Sequence, residues 1–249
     1  MIVTDARNPT ALRLADALNR HLPEGVPGDD LVVVIGGDGF LLRTVADNGL
    51  SPTYFGLNAG HLGFLLNDVD AWEPIAEQLR ARSFKTHAFP LLSARILLAD
   101  GREVIDHAIN DVYVERASSQ TAHVQLTIDG HIVVERLVAD GIVFSTALGS
   151  TAYTFSAGGP ACHPTLRMLV VTPICPHRPR LDPFALPATA KARVDVHSLE
   201  RRPVRAVADG RAVEGVKELH LSYDGSEVRL GYLRGHDLTS RMVSKILHP

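Results

Sequence analysis

Leu31-Val-Val-Val-Ile35 is the segment that most restricts the fold. It is strand-length, mostly β-branched and has no polar face, so both of its faces must be covered. That is the condition of a central strand in a parallel sheet layered by helices. The flanking sequence agrees. Ala11, Leu14, Ala15 and Leu18 recur at helical spacing before the run, and Leu41, Leu42 and Val45 suggest a helix after it. Thr53 to Leu57 reads as a second strand, and Val69 to Arg82 as a helix with Trp72, Ile75, Ala76 and Leu79 on its inner side. From Met1 to about Arg82 the expectation is a parallel, Rossmann-like α/β layer.

After Phe84 the period changes. Ser93–Leu98, Val124–Ile128, Ile132–Leu137, Ile142–Ser145 and Leu219–Tyr223 are short alternating or β-branched runs, which predict a β-rich, sandwich-like second domain. Asp-Gly pairs at Asp100-Gly101, Asp129-Gly130, Asp209-Gly210 and Asp224-Gly225 separate such runs and are expected to be hairpin turns, where positive φ is wanted. Pro173 to Pro187 is expected to be mostly loop, because proline removes ladder donors. A chain of 249 residues can build such cores without disulfides or metals.

The formal net charge of −3 makes nucleic acid an unexpected partner, and no apolar run approaches membrane-spanning length. The amino terminus shows no basic segment followed by an apolar stretch, and Cys162 and Cys175 form no CxxC pair, so a cytoplasmic protein with reduced thiols is expected. None of the twelve histidines forms an HxxxH or HExxH pair, and no protein metal site is expected.

Three segments carry chemistry. Gly36-Gly37-Asp38-Gly39 follows the buried strand directly. Its glycines would let backbone N–H groups approach phosphate oxygens ahead of a helix amino terminus, leaving one carboxylate as the only side chain. Gly56-Leu-Asn58-Ala-Gly60-His-Leu-Gly63-Phe64-Leu65 leaves the second strand, and this edge of an open α/β sheet is where ligands bind. For Gly60 and Gly63, close helix packing is an equal alternative. Asp140-Gly141 leads through a strand into Gly149-Ser150-Thr151-Ala152-Tyr153-Thr154-Phe155-Ser156-Ala-Gly158-Gly159-Pro160. This loop has hydroxyls and an aromatic ring suited to a base and a ribose.

Together these segments resemble the signature motifs of NAD kinases: GGDG, NxGxxGF, an Asn-Asp pair at Asn110-Asp111, and the DG…GSTAYxxSAGGP block, followed by Thr172-Pro-Ile-Cys-Pro-His177. Order and spacing match from about Ile35 to His177. Phe40 replaces the threonine usual after GGDG, Ala147-Leu148 replaces a Pro-Thr or Pro-Ala pair, and Arg211 stands where a polar residue often closes the site.

The resemblance implies phosphoryl transfer from ATP, or another nucleotide or polyphosphate, to the adenosine-ribose 2′-hydroxyl of NAD. It implies a divalent cation such as Mg2+ carried with the donor, and a homodimer or homotetramer. A ribose hydroxyl needs a base for its proton, and Asp38 is the candidate. The resemblance sets Asp38 and Gly39 beside the ribose, with Gly36 and Gly37 in the same loop, Arg43 within reach of phosphates and Asn58 in the second loop. Asn110 and Asp111 would hold sugar and base, while Asp140 and Thr151, Ala152, Tyr153, Thr154, Phe155 and Ser156 complete the dinucleotide pocket. Its expected division is an α/β domain over 1–83, completed by 235–249, and a β-rich domain over 84–234.

Two alternatives remain open. A GGDG-type kinase acting on a sugar phosphate or lipid would lack the GSTAY block. A non-catalytic NAD(P)-binding regulator would account for Phe40 and Leu148 but would have little need for Asp38. A Rossmann dehydrogenase is disfavoured, since no GxGxxG follows the first strand.

Overall fold

An apolar run with no polar face folds where both faces find cover. In the computed structural model, which describes residues 1–247, Leu31–Gly36 is buried along its whole length. It pairs parallel with Ile2–Thr4 (Val3↔Val34) on one side and Thr53–Asn58 (Val33↔Phe55) on the other. The chain forms two units, Met1–Phe89 with the residues from Glu227 onward, and Pro90–Ser226. Of the segment expected over 235–249, His248 and Pro249 lie outside the described residues.

In the first unit the parallel sheet is extended by the last residues of the long strand Val216–Tyr232, in register Leu230↔Tyr54. The helix Pro9–His21 begins where proline needs no N–H partner, and the Asn8 side chain accepts from Thr10 N at 2.9 Å and Ala11 N at 3.3 Å. Its Leu18 joins Leu31, Val33, Ile35, Phe55, Leu57, Ile75 and Leu79 in one core. The helix expected over 69–82 is the shorter Trp72–Arg80. Ala71 is extended at its N-cap and Arg82 has φ 49, while Val69 reaches the core from extended chain.

Asn67, fully buried, ties this sheet together. Its Nδ2 donates to the carbonyls of Gly56 (2.9 Å) and Gly231 (3.0 Å), and its Oδ1 accepts from Leu233 N (2.8 Å).

The second unit is antiparallel. Six strands run in the order Phe184–Pro187, Met168–Ile174, Gly141–Ser145, Asp111–Arg116, Val204–Ala208, Arg211–Glu214. A second set pairs the amino half of Val216–Tyr232 with Ala192–Val196, then Ala122–Ile128, then His131–Ala139. Val112, Phe144 and Leu169 from the first set and Leu126, Val194 and Leu219 from the second share one core, as the inner faces of a sandwich do. The α/β plus β-rich architecture is the one expected.

Three Asp-Gly pairs lie in the expected hairpin turns: Asp100-Gly101 (Gly101 φ 87) between the antiparallel strands Lys85–Leu98 and Glu103–Ala108, and two more in two-residue turns. Asp129 and Gly130 (φ 49 and 81) join Ile128 to its partner His131, and Asp209 and Gly210 (φ 44 and 82) join Ala208 to Arg211. Asp224-Gly225 is not a hairpin. It lies inside Val216–Tyr232, with Gly225 at φ 93, and the Asp224 carboxylate accepts from Ser226 N (2.9 Å) and meets His107 Nε2 (2.7 Å). Those bonds hold a local irregularity while the strand continues. The proline-rich stretch is loop between Ile174 and Phe184, with strand residues at each end.

Replacing Asn67 with leucine removes the side-chain donors to the Gly56 and Gly231 carbonyls and the acceptor of the Leu233 N–H, though Gly56 keeps the backbone N–H of residue 67. The expected loss is about 3 kcal/mol of unfolding free energy, read as a lower urea midpoint with an unchanged slope.

Candidate functional site

In the first unit, the sheet edge carries Asp38 at the first position of the helix Asp38–Asn48, with Gly37 as its N-cap. The Asp38 carboxylate accepts Phe64 N on Oδ2 (2.8 Å) and Leu65 N on Oδ1 (2.9 Å). The two glycine-rich loops are therefore joined through one carboxylate.

A Cβ at Gly37 would meet no atom within 4 Å, and one at Gly39 would meet only Arg43 Nη1 at 3.9 Å. Neither has positive φ, so the protein's own packing does not demand glycine there. The space a Cβ would take at Gly37 and Gly39 is open, and the backbone there is bare at the amino end of a helix, where anions are favoured. Phe40, in place of the expected threonine, carries the Arg43 guanidinium 5.9 Å above its ring centroid.

Asn58 does not point its amide outward. Its Oδ1 accepts Gly60 N (2.9 Å) and its Nδ2 donates to Asp68 Oδ1 (3.2 Å). Gly63 has φ +55, and a Cβ there would lie 2.2 Å from Asn58 Cγ, so glycine is required by backbone and space together. No helix follows this loop directly, which removes helix packing as the reason for Gly60 and Gly63.

In the second unit, Asn110-Asp111 is set at the head of the strand Asp111–Arg116 by a residue read from sequence only as a hairpin turn. Asp209 accepts Ile109 N (2.6 Å), Asn110 N (3.0 Å) and Asp111 N (3.2 Å). The hydroxyl block is laced to the same turn. Thr146 N donates to Asn110 O (2.9 Å), Thr146 Oγ1 to Ile109 O (2.7 Å), and Gly149 N to Thr146 Oγ1 (3.0 Å). A Cβ on Gly149 would lie 2.0 Å from Asn110 O, so only glycine lets the two segments meet. The Asn110 Oδ1 is buried without a hydrogen-bond partner, a costly condition that a bound hydroxyl or amine would relieve.

Burial pushes the carboxyls of both Asp111 and Asp209 upward. Three N–H donors and the Arg211 charge oppose this at Asp209, whereas Asp111 has one opposing donor, Tyr153 N–H. The proton therefore settles on Asp111, raised to about 7 by burial first and by the Asp209 charge second. Arg211 is held away from any closing role: its guanidinium bonds Asp106 (2.9 and 3.1 Å) and the His107 carbonyl (2.6 Å).

Within the loop Thr151–Ser156 the side chains divide. Tyr153 stacks edge-on against Tyr113 (centroids 4.9 Å), while Phe155 and Ser156 are exposed. Thr154, expected to line the pocket, is fully buried with its Oγ1 unpartnered, and its carbonyl accepts Gly159 N (2.8 Å). Asp140 accepts from Arg116 Nε (2.7 Å), and Glu115 pairs with Arg205 (2.6 Å). These four residues line, with Tyr153 and Ile174, a cavity of about 290 Å3. Among the described residues no cluster of three or more His, Cys, Asp or Glu is placed to hold a metal ion.

A glycine-flanked carboxylate at a helix start, and a laced Asn-Asp turn with a hydroxyl loop, define a phosphotransferase that handles nucleotides. Comparison narrows the class. Residues 109–221 match the model of the ATP-NAD kinase C-terminal domain. The chain is 34% identical to the NAD kinase of Zymomonas mobilis over 233 residues, covering 90% of this chain and 88% of that one. It is 38% identical to the NAD kinase of Rhizorhabdus wittichii over 199 residues, covering 78% and 76%. The chain belongs to the NAD kinase family, and its activity is that of an NAD kinase.

Among solved structures, yeast NADH kinase complexed with NADH superposes with TM-score 0.79 at 27% identity, over 88% of this chain and 65% of that one. An NAD kinase from Archaeoglobus fulgidus shares the fold with TM-score 0.79 at 24% identity, over 99% and 97%.

The Asp111 carboxyl gives a pH signature. Its folded pKa, about 7, lies above its ordinary value of 3.8, so between these values the unfolded chain holds fewer protons than the folded one. Stability relative to Asp111→Asn is expected to fall as pH rises from about 4 to about 7 and to level off above. Parallel urea titrations of parent and variant check it.

Proposed function

We propose that Asp38 is the general base that takes the proton of the adenosine-ribose 2′-hydroxyl of NAD, and that the glycine loop around it receives the donor phosphates. The observation that carries this reading is the Asp38 carboxylate at a helix start, held by the Phe64 and Leu65 amides beside open backbone at Gly37 and Gly39. Two amide donors fix the carboxylate's plane, and positioning is most of what phosphoryl transfer asks of a protein. Gly37 and Gly39 supply bare backbone for phosphate and Arg43 a cation, while Gly36, buried at the strand end, makes room for the Phe40 ring. Asn58 shapes the second loop rather than touching substrate.

Asn110 and Asp111 take the sugar and base of the dinucleotide. The unpartnered Asn110 Oδ1 asks for a donor, and a protonated Asp111 can donate where an ionised one only accepts. Tyr153 offers a ring face, with Thr151, Ala152, Phe155 and Ser156 around it, while the buried Thr154 supports the loop from inside. Asp140, paired with Arg116, completes the pocket. NADH bound to the yeast relative supports a dinucleotide ligand.

ATP is the proposed donor, in line with the name of the matching family model. A divalent cation, Mg2+ by preference, would come with the donor phosphates and neutralise their charge, with Asp38 the carboxylate nearest to hand. A homo-oligomer and a cytoplasmic location complete the proposal. No helix among the described residues is long and apolar enough to cross a membrane.

Asp38→Asn removes the base and, because an amide nitrogen cannot accept, one of the two backbone bonds that hold the second loop. Turnover is expected to fall by a factor of about 100 or more with NAD binding retained, followed as NADP formation with a coupled NADP-specific dehydrogenase and as NAD binding by calorimetry. Near-normal turnover would take Asp38 out of the role. Asp140→Ala is expected to raise the KM for NAD more than that for ATP, and equal effects on both would place Asp140 elsewhere.

A further inference from the structure

We infer that Arg241 is a positioning residue for Asp38, acting through the single peptide group that joins Gly63 to Phe64. The inference rests on the reading of Asp38 as base.

Arg241 sits in the short helix Leu238–Met242 and is only 8% exposed. Its Nη2 donates to the Gly63 carbonyl oxygen, and its Nη1 donates to Asp68 Oδ2 at 2.7 Å. The N–H of that same Gly63–Phe64 peptide is the one that donates to Asp38 Oδ2. The chain of contacts is therefore guanidinium to carbonyl, then amide to carboxylate, across one planar group. Pulling electron density toward the carbonyl oxygen makes the N–H a stronger donor, as linked hydrogen bonds polarise each other in a low-dielectric interior.

The second arm of Arg241 fixes the same loop from its other end. Asp68 accepts the Asn58 amide on Oδ1 while holding Arg241 on Oδ2, and the Asn58 side chain fills the space that only glycine at 63 leaves open. A buried guanidinium thus has two acceptors in a planar fork, one setting the peptide's tilt and the other the loop's base. Tyr232 reports that both ends are near one another: burial is the main cause of its raised phenol, and the Asp38 charge raises it further while Arg241 lowers it. Of the two peptides whose N–H groups hold the Asp38 carboxylate, Gly63–Phe64 is the one whose carbonyl also takes the Arg241 guanidinium.

The test uses the full chain as Arg241→Lys and Arg241→Gln beside the parent. Lysine keeps the buried charge but cannot bridge both acceptors. Arg241→Lys is expected to lower kcat by about tenfold, with the KM for NAD and for ATP within about threefold of the parent. Arg241→Gln should lower kcat further. In selectively 15N-Phe-labelled protein, the Phe64 amide proton should move upfield in Arg241→Lys.

An unchanged kcat with only a lowered melting temperature, or a raised KM at unchanged kcat, overturns the inference and leaves Arg241 a structural cation. If Arg241→Gln fails to fold, Arg241→Lys decides alone. If the parent itself forms no NADP, the reading of Asp38 falls. The Phe64 amide shift then still decides whether the brace exists, an unmoved resonance ruling it out.

Discussion

The grip of the Asp38 carboxylate on the Phe64 and Leu65 amides is the interaction on which the first unit's loops depend. Glycine-rich loops are entropically expensive to order, because glycine has more conformational freedom to lose than any other residue. Here the cost is met by charge-assisted bonds to a carboxylate that a helix start already favours. The same contact therefore orders the loops and aims the group proposed to do the chemistry. Phosphate-facing backbone stays bare, because the ordering force comes from one side chain.

The second unit solves a comparable problem with burial. Asp209, satisfied by three amides, fixes the turn that presents Asn110 and Asp111, and burial first, with the Asp209 charge second, raises the Asp111 carboxyl. Two carboxylates in one buried place cannot both ionise cheaply, so the environment separates their states. The one with more donors keeps the charge, and the other becomes a donor near neutral pH.

Parts of this were legible in the sequence and parts were not, for physical reasons. The Leu31–Ile35 run could be placed because a strand without a polar face has few alternatives. Asp129-Gly130 and Asp209-Gly210 could be read as hairpins because positive φ is a local demand. Asp224-Gly225 carries the same local signal, yet the strand continues past it, since ladder pairing of Val216–Tyr232 on either side outweighs the turn preference. The second role of Asp209 was hidden because turn chemistry alone accounts for an aspartate before glycine, and the amides it holds are about 100 residues away. Arg241 was hidden more completely. One arginine near the carboxyl end has no distinguishing neighbours, and its carboxylate partner is 173 residues distant. The GGDG and GSTAY segments announced themselves because close backbone approach demands glycine, and glycine is visible in a sequence.

The path of the strand Val216–Tyr232 sets an order of events during synthesis. The second unit is one continuous stretch, Pro90–Ser226, but the first needs residues 229–231 to pair with Thr53–Asn58. On the ribosome, this segment emerges before residue 90 yet must wait with one side of its sheet unpaired until residues 229–231 have been made. The later-born sandwich can close before it. An uncovered parallel strand edge is a template for wrong partners, so the time spent waiting exposes the nascent chain to mispairing, and a chaperone that shields Thr53–Asn58 would be of most use in that interval.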